Sequence, residues 1–196
     1  MEQGENCCKK QQINFRTYLK FLYRLYPPWK GLAEYRVALE LVEKYGCRSV
    51  LDVGCGRGNL GRLLSKYFPS VAYVGIDVHN MFAGLNSLDF VVADGRSPPM
   101  RCCFDCIFLV NSLFYMGVDT LDVYKGLGRV VIVIDIDPSY PHVWLVDMLE
   151  SGFKGMRRRR VELISILRDR GFKVLDEGGK ITYYVVATGV EDTSNR

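Results

Sequence analysis

Three glycines at alternate positions, Gly54, Gly56 and Gly58, stand between an acid and a helix-like run. Asp52 precedes them, flanked by Val50, Leu51 and Val53, and Cys55 lies inside the turn. Leu60, Leu63, Leu64, Tyr67 and Phe68 follow at helical spacing. A buried strand that breaks into a glycine turn and opens a helix can cradle a nucleotide-like ligand. Glycine permits positive φ, and it lets a ligand approach the main chain closely. Three other groups of residues could do chemistry. Asp137-Pro138-Ser139-Tyr140-Pro141-His142 follows a strongly β-branched run; it is either a substrate-lining loop or a proline-rich turn with Asp137 as a turn residue. Arg157, Arg158, Arg159 and Arg160 could grip phosphates or form a solvated helical turn. Cys102-Cys103-x-x-Cys106, with Cys7-Cys8 upstream, has the residue type for zinc. However, Cys106 falls inside an apolar strand, where a thiol acts as a small hydrophobe, so no metal is expected.

The elements that position these residues alternate in kind. A polar tail over 1–12 leads to an amphipathic helix over 15–26, which Pro27-Pro28 ends. Either its apolar face packs on the domain and its basic face is solvated, or the helix is a lid over the substrate or a basic-aromatic surface for RNA. A second helix spans 32–45, with Ala33, Val37, Leu41 and Val42 inward and Gly46 as its stop. Strands are predicted at 49–53, 71–76, 88–92, 104–110, 129–136, 172–175 and 181–188. Helices are predicted over 59–67 and 80–86, a short one within 118–126, and one or two within 141–170, where the arginine run begins the last. Asp176–Lys180 has hairpin chemistry. The pattern implies an α/β fold: a doubly wound, seven-stranded, mostly parallel sheet with the last strand antiparallel and helices on both faces. A single domain is expected over 13–189, with a second tail over 190–196. Ligands bind such sheets at the carboxyl ends of the strands, at the topological switch point.

The chain has 196 residues and a formal net charge of +4. This mildly basic balance permits an anionic partner without requiring one. No apolar run reaches the roughly 18 residues of a membrane span, and the N-terminus lacks a signal-peptide core. An odd cysteine count, seven, fits reduced thiols in a cytoplasmic protein.

Asp52-Val53-Gly54-Cys55-Gly56-Arg57-Gly58 resembles the first motif, D-x-G-x-G-x-G, of the class I (Rossmann-like) S-adenosylmethionine-dependent methyltransferases. The likeness extends over about 32–188. Asp77 ends strand two, Asp94-Gly95 follows strand three, and Phe104-Asp105 opens strand four. Gly126-x-Gly128 precedes strand five, Arg170-Gly171-Phe172 precedes strand six, and a hairpin closes the sheet. The chain looks like a small single-domain member.

The resemblance implies S-adenosylmethionine as cofactor and S-adenosylhomocysteine as product. It implies that Gly54, Cys55, Gly56 and Gly58 pass under the amino-acid part of the cofactor. Asp52 would support the turn or lie near the methionine ammonium. Asp77 would accept from the ribose hydroxyls, with Val78 beside it and His79 flanking the adenine. Asp94 would accept from the adenine amine, Gly95 would place its amide near a ring nitrogen, and Asn111 and Ser112 would lie under the methionine end.

Asp137–Tyr140 is similar to the D-P-P-Y motif of amino-directed methyltransferases but comes one strand later than that motif does. Tyr115, Asp137, Tyr140 and His142 are the candidate acceptor contacts. The acceptor stays open between a small molecule and an RNA base, with protein a third possibility, and a catalytically inactive binding or scaffold subunit is the alternative. A nicotinamide-binding domain is disfavoured by the G-x-G-x-G spacing and the closing hairpin.

Overall fold

The alternation of Val50 and Leu51–Val53 across one strand sets up two apolar layers. Ser49–Val53 forms β1 in the computed structural model, which describes residues 32–80, 88–101, 103–140, 143 and 157–189. Helix α1 (Leu32–Lys44) precedes it, and α2 (Asn59–Tyr67), β2 (Ala72–Asp77) and β3 (Asp89–Val92) follow. The chain continues through β4 (Phe104–Val110), α3 (Leu113–Met116), a 3-10 turn (Val118–Thr120), α4 (Leu121–Tyr124) and β5 (Gly128–Ile136). Last come α5 (Arg160–Asp169), β6 (Lys173–Gly179) and β7 (Thr182–Thr188). The unit that carries the sheet spans Glu34–Arg196.

The seven strands lie in the order β3-β2-β1-β4-β5-β7-β6. Strands β1 to β5 pair in parallel, and β7 runs antiparallel between β5 and β6. The chain steps outward from β1 to β3 and then returns to lay β4 beside β1. This reversal opens a crevice at the carboxyl ends of β1 and β4.

Leu51, Val53, Ile107, Leu109, Val131 and Val133 face one layer, closed by Leu113, Tyr124, Leu163 and Leu167. Val50, Phe108, Val130, Ile132 and Ile134 face the other, closed by Leu41, Val42, Leu60 and Leu64. Each such side chain, fully buried, contributes about 1.5–3 kcal/mol. Burial on both faces explains why β4 and β5 read as nearly continuous apolar runs.

The structure revises several local expectations. Ala33 is exposed, and Ala38 takes the inward position on α1. Strand β6 does not stop at Leu175 but runs through Asp176-Glu177-Gly178-Gly179, and the hairpin turns at Lys180-Ile181. Both glycines serve pairing rather than the turn. A Cβ on Gly178 would sit 2.7 Å from the Tyr184 ring, and one on Gly179 would sit 2.1 Å from the Thr182 carbonyl. A register shift between Val174 and Asp176 takes up the extra residue. Helix α3 was not foreseen. Helix α5 starts at Arg160, so Arg157 precedes it.

Cys47 and Cys106 form a disulfide, with Cα atoms 5.7 Å apart. The expectation of reduced thiols is therefore corrected: the exit from α1 brings Cys47 over the middle of β4, across a sequence separation of 59. The tails at 1–12 and 190–196, the helix at 15–26, the helix at 80–86 beyond Asn80, His142, Cys7, Cys8 and Cys102 lie outside the described residues. No described helix is long and apolar enough to cross a membrane.

Candidate functional site

The glycine spacing is required by the backbone. Gly54, Gly56 and Gly58 have φ of 70°, 53° and 66°, a region that side chains with a Cβ rarely enter. The Gly54 and Cys55 amides both donate to the Ile76 carbonyl, at 2.8 and 3.1 Å, and the Gly58 amide donates to the Cys55 carbonyl at 2.9 Å. The turn thus hangs on the end of β2 and delivers the chain to α2. Gly58 caps that helix in the left-handed conformation, with no side-chain hydrogen bond to its first turn. Gly54 also lies against β4: a Cβ there would approach the Ser112 Cβ to 2.5 Å.

A buried polar cluster supports the turn from below. Asp52 is 3% exposed, and the Tyr73 hydroxyl donates to its Oδ2 at 2.9 Å. Burial raises the Asp52 carboxyl to about 7; the Tyr73 hydrogen bond opposes this and the Asp77 charge adds to it. Burial, with the charges of Asp52 and Asp77, also pushes up the Cys55 thiol. Cys55 is therefore a packed thiol rather than a nucleophile. Tyr73 was missed in the sequence, although its signal is there in two glycines. A Cβ on Gly61 would meet the Tyr73 ring at 2.5 Å, and one on Gly75 would meet the Tyr73 hydroxyl and Cys55 Sγ, each at 2.8 Å.

Around this turn the ends of β2, β3 and β4 present the other predicted residues. Asp77 accepts from the Gly56 amide through Oδ2 at 2.9 Å and from the His79 amide through Oδ1 at 2.8 Å. Val78, beside it, is 49% exposed. Asp94 pairs with Arg96, whose Nη2 is 2.7 Å from Oδ2, and this hydrogen bonding holds the carboxyl below its usual range. Gly95 is buried, its carbonyl accepting from the Tyr124 hydroxyl. A Cβ there would lie 2.5 Å from Met116 Sδ.

Asn111 is the one described non-glycine residue with positive φ, at 50°. Its amide donates to the Ile134 carbonyl at 2.8 Å, and its Oδ1 is buried with no hydrogen-bond partner. Strain of this kind together with a buried lone acceptor marks a place where a ligand donor can bind. Ser112 Oγ donates to the Val53 carbonyl at 2.6 Å, which ties the end of β4 to that of β1.

Beyond β5 the structure groups only part of the predicted acceptor set. Asp137 Oδ1 accepts from the Ser139 amide at 2.8 Å, an Asx turn, and the Asp137 amide donates to the Ile181 carbonyl. Asp137 and Tyr140 share a cavity of about 380 Å³ with Arg159, Arg160, Val161, Gly179 and Lys180. Tyr115 does not line it; it is half-buried, its ring 3.9 Å from that of Phe114.

The arginine run is not one basic face. Arg157 is buried; its Nη1 is 2.9 Å from Asp135 Oδ1, and its guanidinium lies 4.0 Å from the Phe114 ring centre. It is neither a solvated residue nor a phosphate contact. Among the described residues no group of three or more His, Cys, Asp or Glu is arranged to hold a metal. Cys106 has its sulfur in the disulfide, which removes it from any ligand set.

Residues 50–133 match the family model described as a methyltransferase domain. A comparison with curated proteins finds no match. Among solved structures, a SAM-dependent methyltransferase from Aquifex aeolicus is similar, with a TM-score of 0.66 and 20% identity over 87% of this chain and 98% of that one. The mitomycin 7-O-methyltransferase MmcR gives a TM-score of 0.66 at 16% identity, over 81% of this chain and 53% of its own. An O-methyltransferase from neocarzinostatin biosynthesis, solved with S-adenosyl-L-homocysteine and 1,4-dihydroxy-2-naphthoic acid, gives 0.60 at 22%, over 74% and 50%. The seven-stranded sheet is the class I methyltransferase fold, as the resemblance in the glycine turn implied.

Proposed function

We propose that the chain is an S-adenosylmethionine-dependent methyltransferase, with the cofactor held over the Gly54–Gly58 turn and the acceptor beyond the ends of β4 and β5. The carrying observation is the convergence of three positive-φ glycines, the Asp77 carboxylate and the partnerless Asn111 Oδ1 at one carboxyl edge of the sheet.

The residues present fit the cofactor chemically. A carboxylate has about four lone-pair sites, so Asp77, with two amides bound, keeps capacity for the two ribose hydroxyls. The glycine turn leaves the main chain bare beneath the amino-acid end. Asn111 Oδ1 offers that end or the acceptor a hydrogen-bond acceptor. Asp94 and Gly95 would hold the adenine, with Asp94, paired to Arg96, accepting from its exocyclic amine. Val78 and His79 flank the same side, and Asp52 acts from below by holding Tyr73 and the turn.

The cofactor supplies a methyl group on a sulfonium, already activated for in-line displacement. What remains for the chain is to align the nucleophile and exclude water, worth a large share of the barrier. No general base is required unless the acceptor must lose a proton early. Asp137 and Tyr140, which line the cavity beyond β5, are the residues assigned to contact the acceptor, whether small molecule or RNA base.

Calorimetric titration with S-adenosylhomocysteine tests the assignment. Asp77→Ala is expected to weaken binding by about 1–3 kcal/mol, the range for a lost hydrogen-bonding group. Equal affinities in variant and wild type would remove Asp77 from the site.

A further inference from the structure

The cavity beyond β5 has a composition that neither the fold nor the glycine turn demands. Three cations line it, Arg159, Arg160 and Lys180, against one acid, Asp137. Both arginines are paired: Arg159 with a residue outside the lining, Arg160 with one residue outside it and one within it. Arg159 donates through Nε and Nη2 to Glu162 Oε1, at 2.8 and 2.7 Å. Arg160 sits 3.1 Å from Glu177 Oε2 through Nε and donates to the Gly179 carbonyl through Nη1 at 2.7 Å. Neither glutamate lines the cavity, and each guanidinium has more N–H groups than its partners take. Lys180, at the hairpin turn, is exposed and makes no ion pair among the described residues. Asp137 turns Oδ1 toward the Ser139 amide, which spends part of its acceptor capacity on the loop. Two arginines with paired guanidiniums, one lysine and Tyr140 therefore line a single space of about 380 Å³. That volume is of small-ligand size.

We propose that this cavity binds the phosphate group of a phosphorylated small-molecule methyl acceptor. Phosphate matches the donor set, because its several oxygens engage guanidinium forks and a point charge together. A small molecule is favoured over RNA because the basic run is not a track. Arg157 is turned into the interior against Asp135, and Arg159 and Arg160 converge on one concavity. The word acceptor rests on the methyltransferase reading; the phosphate site stands on the cavity alone.

The test is titration of the full chain with inorganic phosphate, with and without S-adenosylhomocysteine, and separately with a short single-stranded RNA. Lys180→Glu is expected to weaken phosphate binding by about tenfold or more, roughly the worth of one charge-assisted contact. Arg168→Glu, an exposed change on α5 outside the cavity lining, is expected to leave it within about twofold. Absence of phosphate binding, or binding indifferent to Lys180→Glu, would overturn the proposal. RNA binding that outcompetes phosphate and falls steeply with salt would overturn the small-molecule source. Phosphate binding without any S-adenosylhomocysteine binding would support the cavity and overturn the methyltransferase reading.

Discussion

Asp52 is charged only against the cost of its own burial. Its folded-state value of about 7 lies above the ordinary carboxylate value of 3.8, mainly through desolvation. Below the unfolded value both states are protonated, and the buried neutral acid costs nothing extra. As pH rises through the window between 3.8 and about 7, the unfolded chain releases its proton first and stability is lost. Asp52→Asn keeps an acceptor for the Tyr73 hydroxyl and has no proton to lose. The variant's melting temperature should therefore gain on the wild type as pH goes from about 5 to about 8, with the gap smallest at the acid end. A gap that stays constant with pH would show that Asp52 does not titrate in that window. At this scale the sequence was informative where the backbone alone decides. The alternate glycines announce positive φ without reference to any distant partner. Tyr73 was hidden because its role depends on a hydroxyl reaching Asp52, a pairing between strands that composition does not encode.

The elements around the site are tied together by contacts remote in sequence. Strand β5, the approach to α5 and helix α3 meet at the Arg157–Asp135 pair and the Phe114 ring. Such a pair adds little net stability over an apolar replacement, but losing one partner leaves a buried charge. Arg157→Ala should thus cost about 3–5 kcal/mol in urea unfolding, and Arg157→Met combined with Asp135→Asn should cost much less. If the double change is as harmful as the single one, the pair's role is packing rather than charge. Four successive arginines look alike in a sequence. The structure separates them because Arg157 lies before α5 and pairs with the buried Asp135 of β5, whereas Arg159 and Arg160 open the helix. The disulfide between Cys47 and Cys106 was illegible for a related reason: it needs α1 laid across β4, and neither cysteine carries a local signal.

For the molecule as a whole, the strand and helix order was legible, since runs such as Phe104–Val110 and Gly128–Ile136 can only be covered strands. The carboxyl edge followed from it. The closing antiparallel hairpin was legible too, but its turn lies later than the glycines suggest, because Gly178 and Gly179 make room for Tyr184 and the Thr182 backbone, a demand set by the partner strand. The cavity beyond β5 was least legible. Its lining is assembled from Asp137, the start of α5 and the tip of the hairpin, three places far apart in the chain. A crystal structure grown with saturating S-adenosylhomocysteine tests whether the Gly54–Gly58 turn is a cofactor site. The ligand is expected at the carboxyl ends of β1, β2 and β4, with its ribose on Asp77 and its amino-acid end over the glycines. A ligand found elsewhere, or none at saturation, would contradict it.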